Sequence, residues 1–180
     1  MGNNMLLPSD AIRWIRMHRT HLKGDLETEY WIDVRKDFDQ IEPHLPEKIS
    51  SILDIGCGLA GIDVLLAKRY PYATIALLDG DGDESNWRPG YASTMGPFSS
   101  RKVAESVLEL NGVRRPLWKD VGTQEVLEAD LIISLLSWGF HYPLSTYRTN
   151  GLHITDLRST LPIKGKVIAS TQKYNRCIWR

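Results

Sequence analysis

The sequence predicts an α/β fold, a three-layer sandwich with a mainly parallel sheet between helices, and three observations carry the prediction. Short apolar runs at 52–55, 73–78 and 130–136 alternate with longer stretches whose apolar residues recur at helical spacing. The first run breaks off abruptly into glycines, as a buried parallel strand does where it turns into a helix. The chain of 180 residues, 42% of them hydrophobic, suffices for one domain with a full core. A single domain over 1–180 is expected, with a helical cap at 1–45 and the α/β core from 46 to 180.

The cap reads as two helices. Over 11–22, Ile12, Ile15, Arg19 and Leu22 trace one side, and Ser9 or Asp10 can cap the start. Arg13, Arg16, His18, Arg19, His21 and Lys23 make this segment basic, which reads as a solvated face in preference to a phosphate-contacting one. Over 25–41, Leu26, Tyr30, Val34, Phe38 and Ile41 form an apolar stripe, and Asp25, Glu27 and Glu29 suit the positive end of the helix dipole.

The core then begins with strand one and its glycine turn, Gly56-Cys57-Gly58. A helix over 62–70 follows, stopped by Pro71, and a second strand over 73–78 delivers Asp79 at its carboxyl end. Asp79, Asp81 and Asp83 alternate as in a calcium loop, but Glu84 and Gly90 stand where that loop needs Gly and Glu, so no metal site is expected. The stretch 86–98 has no period and contains Pro89, Gly90, Gly96 and Pro97. It reads as an irregular insertion in which Trp87, Arg88 and Tyr91 either close over the cofactor or acceptor or belong to a mobile surface loop.

A helix over 100–110, stopped by Asn111-Gly112, leads to a third strand over 115–119 and to Asp120. The fourth strand, 130–136, runs out into Ser137-Trp138-Gly139-Phe140-His141-Tyr142-Pro143, at the end of the sheet where α/β folds place reacting groups. A helix over 154–161 and a fifth strand over 166–170 complete the expected order 3-2-1-4-5. The last ten residues are too few for a further helix and two strands, so the sheet is expected to end at strand five. An edge left bare there would invite pairing with a second copy.

Charge and composition narrow the partners. Formal net charge is zero, which gives no general attraction to nucleic acid or anionic lipid. No run approaches the ~18 apolar residues that cross a bilayer, and no signal-peptide pattern opens the chain. Of the two cysteines, Cys57 and Cys177, the first lies inside the glycine turn, which fits a reducing compartment and a cytoplasmic protein.

Two nucleotide-binding families share the strand, glycine turn and helix at 51–70. Gly56, Gly58 and Gly61 satisfy the G-x-G-x-x-G of dinucleotide binders, and Asp79 falls close to the place of a ribose-binding acid. Asp54 separates the two, because dinucleotide-binding strands carry an apolar residue there. Asp54-Ile55-Gly56-Cys57-Gly58 resembles the first motif of class I S-adenosylmethionine-dependent methyltransferases, which have a Rossmann-like fold. Ala60 replaces the third glycine of that family's D-x-G-x-G-x-G. The resemblance covers roughly 45–170, with specific motifs in its first half.

The resemblance implies S-adenosylmethionine as cofactor. Asp54 would help hold its methionine end, Gly56, Cys57 and Gly58 would line the turn against it, and Asp79 with Gly80 would meet the ribose hydroxyls. Asp120 would meet the adenine amino group, and Ser137 would stand at the end of strand four. The family's usual closing strand hairpin is expected to be missing. The cap helices often cover the cofactor in this family, which makes Tyr30 and Trp31 candidates for the acceptor pocket, though aromatics at helical spacing are more often core.

For acceptor chemistry the candidates are His141 and Tyr142. A methyl transfer to a hydroxyl needs alignment and removal of a proton, which a histidine performs near neutral pH. His141 as a mere loop hydrogen-bonding residue weighs equally. The segment after strand four lacks the Asn/Asp-Pro-Pro-Tyr of enzymes that methylate base amino groups, and looks more like small-molecule or sugar hydroxyl enzymes. The expected function is methylation of a small polar acceptor. A shortened methyltransferase-fold binding module working through a partner, and a nicotinamide oxidoreductase, stay open beside it.

Overall fold

The computed structural model describes residues 5–82, 100–119, 121–135, 137, 146–156, 166–168 and 178–179. Parallel strands buried on both faces read as continuous apolar runs, and three of them make the centre of the sheet. They are β1 (Ser51–Ile55), β2 (Thr74–Leu78) and β4 (Val126–Ser134), flanked by β3 (Leu117–Lys119) and β5 (Arg148–Asp156). All four pairings among them are parallel, in the order β3-β2-β1-β4-β5. This is the order of a Rossmann-like sheet, whose reversal between β1 and β4 opens a crevice at the strands' carboxyl ends.

Side chains alternate along the strands and divide the core in two. Ile52, Ile75, Leu77, Leu131, Ile133 and Ile154 pack with the described helices α1 (Ala11–His18), α2 (Leu26–Ile41), α3 (Gly61–Arg69) and α4 (Arg101–Leu110). Leu53, Ile55, Leu78, Leu127 and Ile132 face the other way, with Tyr147. No helix among the described residues reaches that second face.

Helix ends are set by local chemistry. The Asp25 carboxylate accepts from Glu27 N–H and from the Thr28 hydroxyl to start α2, and Ser100 Oγ accepts from Val103 N–H to start α4. α1 stops at His18, four residues short of the expected end. Arg19 leaves the helical path so that its guanidinium pairs with Asp33 and lies over the Tyr30 ring, both on α2. That contact and the stacking of Arg13 on Trp14 tie two of the basic residues of this segment to packing. β3 begins at Leu117 and not at 115, because Arg115 takes a left-handed φ of 55° and Pro116 has no N–H to give a ladder.

Three expectations at the C-terminal end need correction. The fifth parallel strand is Arg148–Asp156, so the segment from 154 that was expected to start a helix belongs to a strand. Lys166–Ile168, expected as that fifth strand, is β6 and runs antiparallel to β5. A seventh short strand, β7 (Ile178–Trp179), runs antiparallel to β6, so the sheet does not end at strand five and does close with an antiparallel pair. β5 is therefore no bare edge, and the argument for pairing of two copies through it loses its premise.

Candidate functional site

Strand β1 enters the site on a fixed heading. Ser134, buried at the end of β4, donates its hydroxyl to the Ile55 carbonyl at 2.6 Å, and Gly56 N–H bonds Leu78 O of β2 at 2.6 Å. Beyond this point φ alternates in sign: Gly56 at +82°, Gly58 at +56° and Ala60 at +56° are left-handed, whereas Cys57 and Leu59 are not. Such alternation turns successive N–H groups toward one concavity, and α3 starts immediately after it with its positive end at the same spot.

Two glycines here are required for separate reasons. A Cβ on Gly56 would overlap the Ser137 side chain, and one on Gly61 would run into the Tyr30 hydroxyl and come within 2.9 Å of Val34 Cγ2. A Cβ on Gly58 would meet nothing within 4 Å, so the main chain there faces open space. Ala60 takes the third left-handed position with a side chain, at a strain of about 1–2 kcal/mol. Its Cβ is fully buried and packs in the core.

Asp79 crosses from β2 to the turn. Its Oδ2 accepts from Gly58 N–H at 2.7 Å and its Oδ1 from Gly80 N–H at 2.7 Å, while Cys57 Sγ lies 3.9 Å from Oδ2. Burial and the neighbouring Asp79, Asp54 and Asp63 push the Cys57 thiol well above its ordinary range, so it stays a neutral thiol. Asp54 shares the α3 side of β1 with Ile52 and sits against Asp63, in the first turn of α3. Both are buried, and Asp54 Oδ1 and both Asp63 oxygens have no hydrogen-bond partner among the described residues. Burial, and then the charge of Asp63, raise the Asp54 carboxyl well above its usual range; burial raises Asp63 to about 7.

Of the residues expected from sequence, Asp54, Gly56, Cys57, Gly58, Asp79, Gly80 and Ser137 stand together at the carboxyl ends of β1, β2 and β4. Asp120, His141 and Tyr142 lie outside the described residues, as do Trp87, Arg88 and Tyr91. Tyr30 and Trp31 are buried, and Tyr30 is pressed on Gly61, so both act as core under the turn. Burial and the neighbouring Asp63 hold Tyr30 at about 12 against the opposing pull of Arg19. Sequence reasoning missed Asp63 and Ser134. Asp63 carried a signal: it is the one acid on the otherwise apolar inner side of its helix. Among the described residues no group of three or more His, Cys, Asp or Glu could hold a metal ion. No helix among them is long and apolar enough to cross a membrane.

No family model and no curated protein matches the sequence. Solved structures with a similar chain path include the plantazolicin methyltransferase BpumL in complex with a pentazolic desmethylPZN analog and SAH. It is 16% identical with a TM-score of 0.44, over 82% of this chain and 52% of its own. StiE O-MT residues 942–1257 are 11% identical with a TM-score of 0.49, over 84% and 52%. Coclaurine N-methyltransferase bound to N-methylheliamine and SAH is 14% identical with a TM-score of 0.44, over 74% and 37%. The chain thus spans about half the length, or less, of these proteins. Its Rossmann-like fold rests on its own strand order and pairing.

Proposed function

We propose that the chain binds S-adenosylmethionine at the carboxyl ends of β1 and β2 and methylates a hydroxyl of a small polar, sugar-like acceptor. One observation carries the reading: a left-handed glycine turn and a β2-terminal carboxylate meet directly, Gly58 N–H on Asp79 Oδ2 at 2.7 Å. The residues suit the cofactor's parts. Open space at Gly58 admits a ligand against the main chain, and the unpartnered oxygens of two buried carboxyls, Asp54 Oδ1 and both of Asp63, suit a cationic amino acid end. Asp79 suits ribose hydroxyls, since a carboxylate oxygen accepts a second hydrogen bond while keeping the first.

When bound, the cofactor supplies an electrophilic methyl group on a sulfonium. The chain's task is to align an acceptor with it and remove the acceptor's proton. We assign the proton to His141 and the alignment to Tyr142, from their place after β4. Asp54 argues against a nicotinamide cofactor, because it puts a carboxyl where dinucleotide-binding strands are apolar.

Titration calorimetry with S-adenosylmethionine, S-adenosylhomocysteine and NAD tests the proposal. Binding of the two sulfur compounds and not of NAD is expected, and binding of NAD alone overturns it. A second reading, a shortened-fold binding module that retains or has lost the cofactor and works through a partner, is favoured by one feature: both Asp79 oxygens already accept main-chain N–H groups, as a brace would. Cofactor binding with no S-adenosylhomocysteine formed from any acceptor panel would select that reading.

A further inference from the structure

We propose that Asp54 and Asp63 share one proton in the ligand-free protein, and that the ammonium of the cofactor's amino acid end displaces it, so that binding and proton release are one event. The inference deepens the function proposed above and rests on it. It assigns Asp63, a residue outside the glycine motif, as a positioning residue that sets the charge of Asp54.

The geometry leaves few alternatives. Asp54 projects from β1 and Asp63 from the first turn of α3, 3% and 0% exposed, with their carboxyls within hydrogen-bond reach of each other. Among the described residues no other side chain donates to Asp54 Oδ1 or to either Asp63 oxygen, and the main-chain group beside the Asp63 carboxyl is that residue's own N–H at the start of α3. Two carboxylates cannot both stay ionised in such a place, and a single O–H between them satisfies an oxygen on each.

Among the described residues, the groups around the pair supply no other compensation. Asp79 from β2 adds negative charge. Cys57 from the turn and Tyr30 from α2 are both held neutral by burial. Arg19, beyond α1, is engaged by Asp33. A ligand that brings a cation with several N–H donors into this corner meets every unfilled acceptor at once. The carboxyl O–H bond then breaks, its proton leaves to solvent, and both carboxylates accept from the ammonium.

The test compares S-adenosylhomocysteine, which carries the ammonium, with methylthioadenosine, which lacks the whole amino acid end. Calorimetry in buffers of different ionisation enthalpy should show release of about one proton with the first ligand near neutral pH and none with the second. Affinity for S-adenosylhomocysteine should rise by up to about tenfold per pH unit below the pair's titration and level off above it. In Asp63→Asn the amide donates permanently to Asp54, so proton release should vanish and affinity should become flat with pH.

A readout on the ligand-free protein stands apart from binding. The infrared band of a protonated carboxyl should be present near neutral pH and absent in Asp63→Asn. Binding of S-adenosylhomocysteine without proton release, or the same pH dependence in Asp63→Asn, overturns the inference and leaves the cofactor reading standing. If neither ligand binds at any pH, the cofactor reading fails and the coupling with it. The infrared band then still decides whether the two carboxyls share a proton.

Discussion

Gly56→Ala tests whether the glycine turn is held by close approach of Ser137, just beyond β4, as well as by its backbone conformation. The substitution places a Cβ on a residue with φ of +82° and drives it into the Ser137 side chain, whose Cα would lie 3.6 Å away. The left-handed conformation alone costs about 1–2 kcal/mol. Overlap in a packed site adds about 1–3 kcal/mol, for a total of roughly 2–5 kcal/mol. At about 2–4 °C per kcal/mol for a chain of this size, the melting temperature should fall by about 4–20 °C. Chemical denaturation of Gly56→Ala, Ser137→Gly and the double variant separates the two parts. Removing the Ser137 side chain relieves the overlap and not the dihedral strain, so the double variant should recover about 1–3 kcal/mol relative to additivity. Additive losses would refute the contact and leave backbone strain as the sole reason for Gly56.

Asp79→Ala should weaken S-adenosylhomocysteine binding about ten- to a hundredfold by calorimetry, from charged-group hydrogen bonds of ~1.5–3 kcal/mol. Because Asp79 also accepts from Gly58 and Gly80, the same variant should lose about 1–3 kcal/mol of ligand-free stability; loss of stability with affinity unchanged would reduce Asp79 to a brace. Gly61→Ala, which forces its Cβ against Tyr30 and Val34, should destabilise by about 1–3 kcal/mol in urea, and Val34→Ala should recover part of that loss. Burial lowers His153 on β5 to about 4, below its unfolded value near 6.5, so the unfolded chain binds the extra proton between these limits. That stability contribution is complete above about pH 6.5 and falls as pH drops toward 4, by at most about 3 kcal/mol, and His153→Gln should flatten this slope in pH-dependent melts. Asp63 acts in the opposite sense. Its folded value is raised to about 7, so its contribution is largest at low pH and is lost as pH rises through that value. Asp63→Asn should therefore gain stability over the parent most strongly above pH 7, and a constant difference across pH would contradict the raised value.

The centre of the sheet was legible because its signals are local. Ile52-Leu53, Ile75 to Leu78 and Leu131 to Ile133 are apolar on both faces, as buried parallel strands must be, and the glycines at 56 and 58 mark positions that other residues reach only under strain. The order 3-2-1-4-5 followed from chain handedness and short connections once those strands were placed. β5 was hidden because its pattern is broken. Arg148, Asn150 and Gly151 interrupt the alternation where the pairing with β4 shifts register between Glu128 and Leu131, and Gly151 is needed because a Cβ there would strike Ala129 O.

The site divides along the same line. Asp54, the glycine turn and Asp79 were legible from residue type and spacing, since two consecutive strands of a parallel sheet bring them to one end. Packing between elements is what sets Asp54 against Asp63, requires glycine at 61 beneath Tyr30, and lets Ser134 fix the heading of β1. Each of these depends on which face of one element packs against another. That choice is made by the whole core, and no stretch of sequence states it alone.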